Sequence, residues 1–287
     1  MRKKVWNIFV FLHLDKLITA CQRWAIGMYH SLPWYFSKPM AIDNLPLPPP
    51  HLAYLVTANY DLDYFYASGQ LGSESIKNML LRSNLTMESF NHVLDLGCGC
   101  GRIMRHWHHV TGPKFYGTDY NPKLINWCKK NLVYATFGLN QLEAKLNYPN
   151  EKFDLIYLYS VFTHLDEALQ AAWMKELTRI LVPGGCLLIT THGRERFFQL
   201  DSMQIEAFER GEMVVLRGNK SGTNYCSAYH PEAYVRQKLA KNLEVLDFGP
   251  GMAKDGRQDM YLLRKPLSVY TENPTGLTRP KANPVGL

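Results

Sequence analysis

The stretch VLDLGCGCGR, residues 93–102, decides the fold of this 287-residue chain. An apolar run leads to Asp95, and glycine then recurs at every second position, at Gly97, Gly99 and Gly101. Glycine allows the backbone to turn sharply and, because it lacks a Cβ, lets a ligand approach the peptide groups. The stretch therefore predicts a β-strand, a turn that holds a nucleoside-bearing ligand, and then a helix.

A second acid follows the next predicted strand. Residues 114–119 fit that strand and end at Asp119, 18 residues beyond Gly101. An acid at the carboxyl end of such a strand can accept hydrogen bonds from both ribose hydroxyls of a nucleoside. Asn121 and Pro122 suit the N-cap and the first residue of a helix, so Asp119 is not needed as a cap. We therefore expect Asp119 to bind ribose.

Strands and helices alternate along the rest of the chain. Residues 153–159 and 186–191 are apolar runs typical of buried parallel strands, and residues 167–181 repeat apolar positions at helical spacing. We expect a turn at residues 183–185, where Pro, Gly and Gly follow one another. The alternation predicts an α/β fold with an open, mostly parallel sheet, whose ligands bind beyond the carboxyl ends of the strands.

Together these features resemble the class I S-adenosylmethionine-dependent methyltransferases of bacteria, of the small-molecule or glycan type. The resemblance covers about residues 48–265. It implies a three-layer, Rossmann-like sandwich with a seven-stranded, mostly parallel sheet whose last strand is antiparallel. Residues 244–248 and 259–264 fit the two final strands. The residues that carry the resemblance are 93–102, Asp119, FDLIYLYSVFTHLDE (153–167) and LTRILVPGGCLLITTHG (177–193).

The resemblance implies S-adenosylmethionine as the methyl donor and S-adenosylhomocysteine as the product. Asp95 would then serve the methionine end of the donor. Many relatives carry an acid after the third strand that holds the adenine amino group, whereas this chain has Asn140 and Gln141, whose amide oxygens can also accept. The predicted donor site comprises Asp95, Gly97, Cys98, Gly99, Gly101, Asp119, Asn140, Gln141 and Ser160.

Methyl transfer from a sulfonium is an in-line displacement, which needs an aligned acceptor and a site without water. An oxygen acceptor must also lose a proton, for which a histidine at the carboxyl ends of the strands is suited. Three candidate bases qualify by position: His164 after the fourth strand, His192 after the fifth, and His230 before the helix that leads to the sixth. A purely structural role for each histidine stays open.

The insertion at residues 193–228 is expected to cap the pocket and to choose the acceptor, because long connections in compact domains are usually functional. Within it we predict a short helix at residues 203–210 and a hairpin that pairs residues 212–217 with 223–228. The resemblance favours an oxygen atom of a small-molecule or glycan acceptor.

Two other functions stay open. A non-catalytic binding or scaffold protein could retain the donor site without turnover. An NAD(P)-dependent oxidoreductase is disfavoured, because Arg102 stands where the dinucleotide fingerprint has its third glycine. No metal is expected: His106, His108 and His109 are close in sequence, but no cysteine or carboxylate accompanies them at ligand spacing.

The net charge of +7 lies mostly at the N-terminus. Residues 1–50 carry six Lys or Arg against two acids, whereas residues 51–265 carry 24 against 22. A groove for nucleic acid needs its cations in the folded domain, so nucleic acid is not an expected partner. The six cysteines include no CxxC pair, which indicates reduced thiols and a cytoplasmic protein.

Three regions are predicted. Residues 1–50 form a basic, aromatic helical segment with a Pro-rich linker, residues 51–265 the methyltransferase domain, and residues 266–287 a disordered tail. The first apolar run is too short to span a bilayer, and no small-residue cleavage site follows it. Residues 1–30 instead predict an amphipathic helix, which either packs on the protein itself or makes peripheral contact with an anionic membrane. The oligomeric state stays open.

Overall fold

A computed structural model of the chain describes residues 15–267. The predicted tail at residues 266–287 and the first half of the predicted N-terminal helix lie largely outside this range. Within residues 15–267, three α-helices precede the sheet: α1 (Asp15–Ser37), α2 (Pro50–Thr57) and α3 (Leu62–Arg82). Asp61 is the N-cap of α3, because its carboxylate accepts from the backbone N–H groups of Asp63 and Tyr64. None of the helices within residues 15–267 is long and apolar enough to cross a bilayer.

Within the described range, the central sheet has seven strands. They are β1 (His92–Leu96), β2 (Lys114–Asp119), β3 (Thr136–Leu139), β4 (Phe153–Leu158), β5 (Leu181–Thr191), β8 (Glu244–Ala253) and β9 (Gln258–Arg264); β6 (Val214–Leu216) and β7 (Ser227–Tyr229) form a separate ribbon. The order across the sheet is β3-β2-β1-β4-β5-β9-β8. Among these seven strands, β9 alone runs in the opposite direction to the other six. The predicted Rossmann-like α/β sandwich with an antiparallel last strand is confirmed.

Helices cover both faces of this sheet. The remaining helices are α4 (Pro122–Asn131), α5 (Glu167–Ile180), α6 (Ser202–Glu209) and α7 (Glu232–Tyr234), the last continuing as a π-helical turn over Val235–Leu239. Because successive strand residues point to opposite faces, Val93 and Leu155 pack in one core with α3 and α4, whereas Leu94 and Ile156 pack in another with α5 and the π-helical turn. The carboxyl ends of the parallel strands meet at one edge of the sheet, because these strands run in the same direction.

The prediction of a helix after the glycine turn is wrong. The chain forms a turn and a short 3₁₀ segment there, Met104–Trp107. Arg105 within it is fully buried, and its guanidinium donates to the Asp43 carboxylate at 2.8 Å and to the carbonyl groups of Leu45 and Pro46. These bonds tie the segment to the Pro-rich linker, a long-range contact that helical periodicity cannot reveal.

The turn expected at residues 183–185 is also wrong, because these residues belong to β5. The backbone N–H of Gly184 donates to the Lys265 carbonyl, and the N–H of Lys265 donates to the Gly185 carbonyl, both at 2.9 Å. The register against β4 shifts between Phe153 and Leu155. Pairing on both sides absorbs the Pro-Gly-Gly sequence as an irregularity within the strand.

The insertion contains the predicted elements. Helix α6 and the antiparallel pair of β6 and β7 confirm the short helix and the hairpin. The loop between the two strands returns to the sheet edge, where the N–H of Gly222 donates to the His164 carbonyl at 2.7 Å. The Ser221 hydroxyl accepts from the N–H of Asp166 at 2.8 Å. The insertion is thereby fastened beside the carboxyl end of β4.

Candidate functional site

A cleft of about 620 Å³ lies at the carboxyl ends of β1, β2 and β4. This is the edge where open parallel sheets bind ligands, and the volume suits a drug-sized molecule. Most of the predicted site residues line the cleft, namely Asp95, Gly97, Cys98, Gly99, Asp119, Asn140, Gln141, Ser160 and His164. Distant segments complete its wall, among them residues 54–58, residues 222–225, and residues 255, 256 and 258.

The glycine turn owes its shape to left-handed backbone. The φ angles of Gly97, Gly99 and Gly101 are +79°, +57° and +75°, a region that other residues rarely adopt. A Cβ on these residues would lie 2.5, 2.7 and 2.3 Å from side-chain carbons of Val161, Val56 and Leu132, respectively. Glycine is therefore required at these positions by the protein's own neighbouring side chains, in addition to the expected close approach of a ligand. Gly101, unlike Gly97 and Gly99, does not line the cleft, and its predicted contact with the donor stays a prediction.

Asp119 is held by backbone donors at the end of β2. Its Oδ2 accepts from the N–H of Gly99 at 3.0 Å, and its Oδ1 accepts from the N–H of Asn121 at 2.8 Å. Burial raises the pKa of Asp119, while these two hydrogen bonds act in the opposite direction. Each carboxylate oxygen retains a lone pair. The carboxylate is therefore oriented and still able to accept from two ribose hydroxyls.

Asp95 lies at the bottom of the cleft and is 3% exposed. Burial raises the pKa of Asp95 to about 7, the positive charge of Arg102 opposes that shift, and the charge of Asp119 adds to it. A cationic group placed beside Asp95 would favour its charged form. The site therefore fits the ammonium group at the methionine end of S-adenosylmethionine.

An ion pair that the sequence analysis missed forms part of the cleft wall. The Arg102 guanidinium donates to Asp255 Oδ2 at 2.7 Å, and the two side chains are only 11% and 10% exposed. The Tyr159 hydroxyl donates to the other carboxylate oxygen of Asp255, and burial raises the pKa of that hydroxyl. Asp255 lies in the turn between β8 and β9, 153 residues from Arg102. No local pattern in the sequence links the two.

The two amides predicted to recognise adenine follow β3. Asn140 donates through Nδ2 to the Gln141 carbonyl at 2.7 Å. Its Oδ1 is buried and has no hydrogen-bond partner among residues 15–267. A buried acceptor without a donor is costly, so the arrival of a donor there is favourable. The adenine amino group would supply such a donor.

Ser160 adopts a φ of +60°, which is unusual for a residue other than glycine. Its N–H donates to Thr190 Oγ1 at 2.7 Å, and its hydroxyl accepts from Gln258 Nε2 at 2.8 Å. Thr190 in turn donates to Gln258 Oε1 at 2.6 Å. Side chains from two strands, Thr190 near the end of β5 and Gln258 at the start of β9, therefore hold Ser160 in the wall of the cleft. Gln258 is another residue that sequence reasoning missed.

Cys98 also lines the cleft, between two of the glycines. Burial raises the pKa of its thiol well above the ordinary value. The thiol therefore stays protonated and is a poor nucleophile. This supports the interpretation of Cys98 as a small side chain in a ligand-binding turn.

His164 is the candidate base that lines the cleft. Its Nδ1 lies 2.9 Å from the Cys226 carbonyl. A carbonyl oxygen can only accept, so Nδ1 carries the proton and Nε2 retains its lone pair. Burial lowers the pKa of His164, and the charge of Arg196 adds to this shift, while the hydrogen bond to Cys226 opposes it. The imidazole is therefore neutral and oriented, as a general base must be.

The other two candidate bases lie outside the cleft wall, which corrects the expectation from their positions. His192 is 4% exposed and His230 fully buried. Burial lowers the pKa of His192 to about 2 and that of His230 to about 3. The ring Nε2 of His230 donates to Gln170 Oε1 at 2.9 Å, and the backbone N–H of His230 donates to the His192 carbonyl. His192, directly after β5, pairs with Tyr229 at the end of β7, and both rings are buried in the interior.

The histidines of the 3₁₀ segment are engaged in packing. His106 packs edge-on against the Tyr66 ring, and His108 Nδ1 donates to the Arg105 carbonyl at 2.8 Å. In the part of the chain that the structure describes, no group of three His, Cys, Asp or Glu is placed to hold a metal ion.

Comparison with known proteins connects this geometry to a family. Residues 93–185 match a family model described as a methyltransferase domain. These residues of the chain therefore form a methyltransferase domain. The match covers the glycine turn, Asp119 and His164, and it supports the predicted cofactor, S-adenosylmethionine.

Two curated relatives show the range of proteins that contain such a methyltransferase domain. The chain is 25% identical over 148 residues to a malonyl-[acyl-carrier protein] O-methyltransferase of Paenibacillus sp. (strain JDR-2), covering 48% of this chain and 52% of the relative. It is 30% identical over 126 residues to a probable cobalt-precorrin-6B C(15)-methyltransferase (decarboxylating) of Saccharolobus solfataricus, covering 40% and 59%. The chain thus spans about half the length of these relatives.

A solved structure agrees with the fold. The S-adenosylmethionine dependent methyltransferase of Mesorhizobium loti is 16% identical, with a TM-score of 0.50, over 64% of this chain and 95% of that protein. At this identity, the similarity concerns the fold of the methyltransferase domain alone.

Proposed function

We propose that this chain transfers the methyl group of S-adenosylmethionine to an oxygen atom of a small-molecule or glycan acceptor. One observation carries the proposal: a neutral, oriented histidine, His164, lines the same cleft as the two carboxylates Asp95 and Asp119. A scaffold protein that only binds the donor would not need such a base.

The chain's own residues match the donor from end to end. Asp119 would accept from the ribose hydroxyls, and the unpartnered Oδ1 of Asn140 from the adenine amino group. The charge of Arg102, which acts on Asp95, would complement the carboxylate of the methionine end, and Asp95 would complement its ammonium group. When bound, S-adenosylmethionine supplies a methyl group on a sulfonium, and the sulfur leaves as the neutral thioether of S-adenosylhomocysteine.

His164 would act on the acceptor. As the acceptor oxygen attacks the methyl carbon, Nε2 of His164 takes the hydroxyl proton, and the Cys226 carbonyl stabilises the imidazolium through Nδ1–H. Residues 222–225 of the insertion line the same cleft, so they are suited to exclude water and to select the acceptor. The name of the Paenibacillus relative, an O-methyltransferase, supports an oxygen acceptor. All six cysteines are free, which supports a cytoplasmic location.

Calorimetry and a transfer assay test the proposal. The full chain is titrated separately with S-adenosylhomocysteine and with NADH, and S-adenosylhomocysteine alone should bind. The chain is then incubated with cell extract and methyl-labelled S-adenosylmethionine, and the label should enter a small molecule or glycan. Binding of NADH instead would indicate an oxidoreductase. Donor binding without label transfer to any extract fraction would favour the scaffold protein.

A further inference from the structure

The outer face of α1 consists of exposed apolar side chains. The exposed fractions are 69% for Trp24, 78% for Tyr29, 54% for Leu32 and 85% for Phe36, and Met28 and Tyr35 are also exposed. Their spacing of three, four and seven residues places them on one side of the helix. We call these six residues the α1 face. Exposed apolar patches of this kind mark interaction surfaces.

The opposite side of α1 is fastened to the protein. Ser31 is 1% exposed, and its hydroxyl contacts His51 Nδ1 at 3.2 Å. The Trp34 indole donates to the Leu47 carbonyl at 3.0 Å. The helix therefore packs on the protein itself, which was one of the two interpretations of the sequence. Only this side of the helix makes that contact. The α1 face is not buried by that contact.

The charges in the sequence of α1 and of the residues that precede it indicate what covers its face. Residues 1–38 contain six Lys or Arg and a single acid, Asp15. The next acid, Asp43, is bound to buried Arg105 and is only 7% exposed. A second copy of this chain would bring the same surplus of positive charge to the contact, which opposes self-association. An anionic lipid surface attracts it.

The side chains of the α1 face suit the same partner. Trp and Tyr favour the boundary between headgroups and acyl chains, where the ring is buried and the polar atom stays wet. Leu, Met and Phe add apolar area that would enter the acyl layer. We infer that α1 docks on the surface of an anionic bilayer through the α1 face. The inference does not depend on the proposed methyl transfer.

Docking would also position the cleft. Helix α1 packs on α2 through the contacts of Ser31 with His51. The last residues of α2, including Tyr54 and Val56, line the cleft. The bilayer would therefore lie one helix away from the wall of the cleft.

Vesicle co-sedimentation of the full chain tests the inference. The chain should sediment with vesicles of mixed phosphatidylglycerol and phosphatidylcholine, and less with vesicles of phosphatidylcholine alone. In the double variant Trp24→Glu/Phe36→Glu, the partition coefficient should fall about tenfold or more, because two large side chains lose their place in the apolar layer.

The matched control is Val133→Glu/Met203→Glu. It adds the same charge at positions that are 86% and 78% exposed but lie elsewhere on the protein. This variant should sediment like the unaltered chain, and both variants should keep its thermal midpoint. Equal binding by the two variants, or no binding of the unaltered chain to the anionic vesicles, would overturn the inference. So would a dimer in light scattering without vesicles that Trp24→Glu/Phe36→Glu disperses, since a second copy would then cover the face.

Discussion

The two sides of the cleft are assembled from different materials. The glycine-turn side is made of backbone and neighbouring carboxylates: the N–H groups of Gly97 and Cys98 donate to the Thr118 carbonyl, and that of Gly99 donates to Asp119. The His164 side is made of side chains that meet across long stretches of chain, including the contact of His164 with Cys226, 62 residues away. We therefore expect the glycine-turn side to recognise the nucleoside of the donor and the His164 side to determine the chemistry and the acceptor.

The difference leads to separable effects. We expect changes on the glycine-turn side to alter donor affinity and changes on the His164 side to alter turnover.

Removal of the base should affect turnover alone. In His164→Ala, kcat for an oxygen acceptor should fall by about 10²–10⁴-fold, the contribution expected of a general base. The affinity for S-adenosylhomocysteine, measured by calorimetry, should stay the same. His109→Ala, at an exposed position outside the cleft, is the control and should leave both quantities unchanged. A large loss of affinity in His164→Ala would break the separation.

A side chain on the glycine turn should weaken donor binding. In Gly99→Ala, the new Cβ would lie 2.7 Å from Val56 at a left-handed φ, and the affinity for S-adenosylhomocysteine should fall about tenfold or more. Gly112→Ala is matched in positive φ, but nothing lies within 4 Å of its Cβ. It should lose stability alone, as thermal unfolding would show. Similar donor affinity in the two variants would mean that the turn does not hold the donor.

The two sides should also titrate separately. The pKa of Asp95 is about 7, so protonation below that pH removes the negative charge that favours the donor's ammonium group. Affinity for S-adenosylhomocysteine should therefore weaken as the pH falls from 7 to 6, by up to about tenfold per pH unit. Asp95→Asn should remove the dependence.

His164 should contribute an acid limb to kcat at lower pH. Burial lowers its pKa below the ordinary value of 6.5, and only the unprotonated imidazole can accept a proton. The rate should thus fall once the pH drops below that lowered pKa. An acid limb that persists in the residual activity of His164→Ala would have another origin.

The smallest effect is expected at the adenine end. Asn140→Ala removes one buried acceptor and should weaken S-adenosylhomocysteine binding about fivefold, the worth of a single hydrogen bond. Asn140→Asp keeps an acceptor at the same position and should bind nearly as well as the unaltered chain. If both variants bind equally to the unaltered chain, adenine is recognised elsewhere.

The same contrast explains what could be predicted from the sequence. The sheet, the glycine turn and the placement of Asp119 follow from short-range patterns, because strand, turn and cap are each set within a few residues. The pairing of Arg102 with Asp255 left no such trace, since the residues are 153 positions apart. His164, His192 and His230 all follow strands in sequence, yet only His164 lines the cleft. The direction of the other two rings depends on how the insertion packs against β5.

A crystal structure with S-adenosylhomocysteine tests the central claim most directly, namely that the glycine turn and Asp119 hold the donor. We predict that the ligand lies across residues 97–99, with both ribose hydroxyls within hydrogen-bond distance of the Asp119 carboxylate. A cleft that stays empty at saturating ligand, or a ribose bound away from Asp119, would contradict the account.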